Sequence, residues 1–114
     1  TLLPGLLDAH VHLLSNHDDK GFRRLEVTAN RSVINGVVNA EKTLMAGFTT
    51  VRVVGSGGYG DVALRAAIAE GDIAGPRILA AGPSLGVTGG HCDNNLLTED
   101  YDFSAAAVAA PNTL

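Results

Sequence analysis

The chain has 114 residues, 46% hydrophobic and 18% charged, which supplies apolar side chains for one core and no more than one ordinary domain. A formal charge of -4 with acids and bases interspersed gives no basic footprint for nucleic acid or an anionic membrane, and no apolar run approaches the ~20 residues that span a bilayer. Cys92 is alone and the N-terminal stretch lacks the basic region of a signal peptide, so a soluble protein is expected, its localisation open with the cytoplasm the first expectation; the start at Thr1 rather than Met is read as a sign of missing upstream sequence.

Residues 5–13 read as a short, buried strand opened by the Pro4-Gly5 turn pair. A polar loop, SNHDDKGFRR, follows. Apolar pairs then recur at Val33/Ile34, Val37/Val38 and Leu44/Met45, which is helical spacing, with Asn30 or Ser32 as candidate caps and Gly47 as the stop. The β-branched run FTTVRVV predicts a second strand. DVALRAAIAE predicts a second helix capped by Asp61 and closed by Gly71, and RILAA predicts a third strand. Strands alternating with helices predict an α/β fold with parallel pairing and helices covering the sheet. From Gly82 the chain turns to Gly, Asn, Asp and Thr, and residues 96–114 are expected to be weakly structured.

In a regular strand, residues two apart share a face, so Asp8, His10 and His12 are expected on one side, with the histidine Cβ atoms ~7 Å apart. Two imidazoles at that spacing can converge on a first-row divalent metal, zinc among them, while a carboxylate beside them could accept a ring N–H. A pair of hydrogen-bonded core histidines fits a bare His-x-His equally well. His10 and His12 fall at the C-terminal end of strand one, GSGGYG follows strand two and GVTGGHCD follows strand three. In parallel α/β folds those ends gather at the edge where sites form.

GSGGYG, from Gly55 to Gly60, matches the dinucleotide-binding pattern G-x-G-x-x-G, so a dinucleotide-binding module is the alternative reading. Against it, the next strand ends in ILAAGPS with no acid for a ribose, and Asp61 occupies the helix start where a phosphate wants positive potential. His91 lies in a glycine-flanked loop beside Cys92. Adjacent loop side chains rarely meet, which disfavours a Cys-His nucleophile. His17 sits in the polar loop and reads as exposed. Arg52, on a strand, could orient an anionic substrate group or pair with an acid.

Three stretches, LPGLLDAHVHL, AGFTTVRVVG and GPRILAAGPSLGVTGGHCD, resemble the amidohydrolase superfamily of metal-dependent hydrolases, in particular its imidazolonepropionase-like and Xaa-Pro dipeptidase-like branch. The resemblance implies a (β/α)8 TIM barrel, of which this chain would hold the first three βα units. Such barrels take ~250 residues, so the chain is expected to be a fragment, inactive on its own. It implies hydrolysis of an amide or peptide-type C–N bond by a metal-activated water in the complete protein. His10 and His12 would be metal ligands and His91 would lie at the substrate pocket after strand three; from that place in the loop His91 is expected to act as a catalytic donor. The metal would be divalent, zinc foremost, as one or two ions. The rest of the site would come from a carboxylated lysine, two further histidines and an aspartate on later strands. The implied substrate is a small or dipeptide-like molecule, and a homo-oligomer is an option for the complete protein. Many relatives carry Asp after the strand-two arginine, where this chain has Val53.

Overall fold

The computed structural model describes residues 1–87, 90–92, 97, 98 and 100. In chain order the elements are β1 (Leu6–Val11), a 3-10 turn over Gly21–Glu26, α1 (Ala29–Met45), β2 (Phe48–Val53), a second 3-10 turn over Gly57–Tyr59, α2 (Gly60–Glu70) and β3 (Arg77–Ala80). The three strands form one parallel sheet in the order β1-β2-β3. Each crossover passes through a helix, as parallel neighbours require. The α/β alternation expected from the sequence is therefore present, matching the amino-terminal part of a barrel. The weak structure expected for residues 96–114 lies almost entirely outside the described residues.

β2 is the centre of the sheet, and its β-branched side chains explain why. Val51 and Val53 are buried on the face that also receives Leu64 of α2, Ala40 of α1 and Ile78 of β3. Leu13 and Leu14, directly after His12, turn into the same core. The opposite face is open. Arg52 and Leu79 stand in register across β2 and β3, and both are exposed there. Strand one departs from the expected burial for the same reason: it is an edge strand, and Leu6 and Leu7 remain 54% and 65% exposed.

Register along β1 is irregular. Asp8 is opposite Val51 and Val11 opposite Val53, so three steps on β1 match two on β2. That surplus residue is a bulge, and it interrupts the alternation expected to put Asp8 on one side with His10 and His12. Asp8 instead keeps register with buried Val51 and Val11 with buried Val53, while His10 and His12 flank Val11.

Helix starts also differ from expectation. α1 begins before the apolar stripe, because the Thr28 hydroxyl accepts the Arg31 backbone N–H and caps it, not Asn30 or Ser32. α2 is entered through Tyr59 in the left-handed region, and Asp61 is already inside the helix. Gly71 closes it as expected. Along the outer side of β3, Arg65, Ile68 and Ala69 of α2 and residues 77–80 line an open groove of about 670 Å³.

Candidate metal centre

The ends of β1, β2 and β3 meet at one edge of the sheet, and the paired histidines stand there. The His10 and His12 ring centroids are 5.5 Å apart, edge to face at 71°. Both residues are exposed, and neither packs into the core of this segment. His12 Nδ1 lies 3.3 Å from the Gly55 carbonyl oxygen, in the loop that leaves β2. A carbonyl only accepts, so this contact places the proton on Nδ1 and leaves the Nε2 lone pair for a ligand. A backbone carbonyl behind a histidine is a recurrent arrangement for orienting an imidazole that binds metal. On donor chemistry the pair fits a first-row divalent cation. Among the described residues no cluster of three or more His, Cys, Asp or Glu side chains forms, so His10 and His12 alone would make a partial donor set.

Asp8 addresses the backbone rather than a ring. Its Oδ1 accepts the His10 N–H at 3.0 Å, satisfying a donor at the bulge. The carboxylate thereby holds the start of the histidine segment. Its end is held from α1: Asn39 Nδ2 donates to Leu13 O at 2.8 Å, with Ser15 O and Asn16 Oδ1 also in reach. Sequence pattern does not pick out Asn39; its one signal is an amide beside the core-facing Gly36 and Ala40.

Arg52 projects from β2 on the open face of the sheet. His91 is an exposed turn residue after β3, and Cys92 beside it is a free, half-buried thiol. His17, as expected, is exposed, with Lys20 Nζ 3.3 Å from its Nε2. The Gly-rich loop is a packing device. Ser56, Gly60 and Asp61 are buried, and the Asp61 carboxylate already takes the Val62 and Gly82 N–H groups at 3.0 and 2.8 Å. A phosphate seeking that helix start would meet a buried acid, which counts against the dinucleotide reading.

The amidohydrolase family model matches residues 1–110. The chain belongs to the amidohydrolase family. Among solved structures, this amidohydrolase chain is similar to a Xaa-Pro dipeptidase with methionine bound in its active site, at 42% identity and a TM-score of 0.80; the match covers 88% of this chain and 25% of that one. It is also similar to a prolidase complexed with N-methylphosphonate-L-proline, at 32% identity and a TM-score of 0.65, covering 77% of this chain and 21% of that one. An ochratoxinase from A. niger matches at 27% identity and a TM-score of 0.69, covering 90% and 23%. No curated protein sequence matches. The amidohydrolase segment thus spans about a quarter of the length of these solved structures. No helix among the described residues is long and apolar enough to cross a membrane.

Proposed function

We propose that this chain supplies the first metal-binding strand of a hydrolase that cleaves the amide bond of a dipeptide-like substrate, of the Xaa-Pro kind. The observation that carries the reading is the pairing of His10 and His12 at the sheet edge, with His12 oriented through Nδ1 by the Gly55 carbonyl. The similarity to a Xaa-Pro dipeptidase and to a prolidase holding a phosphonate-proline ligand supports the substrate class.

His10 and His12 would hold a divalent metal, zinc foremost, together with donors from other parts of the full-length protein. When bound, such an ion supplies Lewis acidity toward the scissile carbonyl and lowers the pKa of water to about 7. The chain's own residues do the remaining work. Asp8 and Asn39 clamp the two ends of the histidine segment, so its backbone is fixed before any cation arrives. Arg52, whose guanidinium suits a carboxylate, would anchor the free carboxyl group of the dipeptide from the open face of the sheet. His91 would donate a hydrogen bond to the substrate from the loop after β3.

The test is metal analysis of the full-length protein beside hydrolysis of Xaa-Pro dipeptides, before and after chelation. Bound zinc, activity lost to the chelator and activity restored by zinc are expected. Full turnover by metal-free protein would overturn the reading.

A further inference from the structure

We propose that Asp61 is a positioning residue for His12, acting through Gly82 and the Gly55–Ser56 peptide unit, and that it thereby sets how tightly the full-length protein holds a divalent cation. The inference rests on the metal reading of His10 and His12. Asp61 is fully buried, and a buried carboxylate is costly unless hydrogen-bonded. Its Oδ2 accepts the Gly82 N–H at 2.8 Å and its Oδ1 the Val62 N–H at 3.0 Å, while its own N–H donates to Ser56 Oγ at 3.3 Å. Asp61 therefore joins the loop after β2 to the loop after β3.

The decisive contact lies on the other side of Gly82. The Gly82 carbonyl accepts the Ser56 N–H at 2.9 Å. The Ser56 N–H and the Gly55 carbonyl belong to one planar peptide unit, so fixing the direction of one fixes the direction of the other. That Gly55 carbonyl is the group against which His12 Nδ1 rests. Orientation thus passes from the Asp61 carboxylate to Gly82, across to the Ser56 N–H, and through the shared peptide plane to the imidazole. The backbone is closely packed at both glycines. Gly82 holds φ at +72° with the Tyr59 ring 3.1 Å from where a Cβ would stand, and Gly55 packs against Ser84.

Asp61→Asn is the appropriate probe, because both carboxylate oxygens face backbone N–H groups and an amide must turn a donor toward one of them. The measurement is the zinc dissociation constant of the full-length protein, by competition with a chromophoric chelator, for wild type, Asp61→Asn, Ser56→Ala, His12→Ala and Ile68→Ala. Ile68 packs on the core at the far end of α2 and serves as the control for lost stability. Asp61→Asn should weaken zinc binding about tenfold, as removal of a ligand's supporting partner does, while Ile68→Ala leaves it unchanged. If Asp61→Asn does not fold, Ser56→Ala, which loses the acceptor for the Asp61 N–H, decides by a shift of the same sign. Zinc affinity in these variants equal to wild type, with His12→Ala losing zinc, overturns the role of Asp61 and leaves the metal reading standing. Zinc retained by His12→Ala overturns the metal reading, and the role of Asp61 with it.

Discussion

Asn39, on the helix that follows the histidine strand, donates its side-chain amide to the backbone carbonyl of Leu13, 2.8 Å away and one residue beyond His12. The same amide reaches Ser15 O and the Asn16 side chain, so one nitrogen addresses three acceptors on the turn out of β1. Asn39→Ala should cost about 1–2 kcal/mol in urea denaturation of the full-length protein, since a part-buried carbonyl loses its donor. Asn39→Asp should cost more, because a carboxylate would face those same acceptors with no proton to give. A stability order with Asp above Ala would show that the amide is not the donor.

Much of this architecture is legible in the sequence, and the parts that are not share a cause. The β-branched run of β2, the helical spacing of Val33, Val37 and Leu44, and Gly71 are local features, and they predict the elements correctly. The bulge at Asp8 is invisible because it is defined by which residues of β2 stand opposite. Thr28 escapes because the first turn of α1, Asn30 to Ser32, is polar and the apolar stripe starts later. Asp61 reads as a helix cap until its partner Gly82, far along the chain, is in place. The histidine pair is legible as a motif, but the carbonyl behind His12 comes from the loop after β2, far along the chain.

Helix capping gives a simple check. Thr28→Ala should destabilise the protein by about 1 kcal/mol, and Thr28→Ser should be close to neutral, because the cap needs only the hydroxyl that accepts the Arg31 N–H. Thermal or chemical melts of both variants measure it; equal losses would assign the effect to the methyl group instead.

Replacing His10 by Ala should lower zinc affinity of the full-length protein by more than tenfold, beyond what loss of a supporting partner causes. On the metal reading, the melting curve of the metal-free form should stay close to wild type, because the ring's partner is the ion and not the core. A large drop in metal-free stability with zinc retained would mark His10 as structural.

On the proposed reading, His91→Ala should reduce turnover of a dipeptide substrate while metal content stays at the wild-type level, since that reading assigns His91 to the substrate and not to the ion. Steady-state kinetics beside metal analysis separate the two. Unaltered kcat and KM would remove His91 from the site.

The isolated chain should associate or precipitate. Leu6, Leu7 and Leu79 are half exposed or more, and among the described residues nothing pairs with the outer sides of β1 and β3. Size-exclusion chromatography reads the outcome directly. A monodisperse 11.7 kDa species with a sharp cooperative melt would contradict it.

Strand order in the sheet repeats strand order in the chain, so the histidine strand is synthesised before the segments that support it. His10 and His12 emerge first, pointing at nothing that fixes their tautomer. The arrival of β2 brings the Gly55 carbonyl and commits His12 to one nitrogen. Only when β3 docks does Gly82 arrive to hold that carbonyl still. The nitrogen that His12 leaves free is thus decided by a carbonyl 43 residues further along the chain, so the histidine strand has its final form only once the sheet around it has formed.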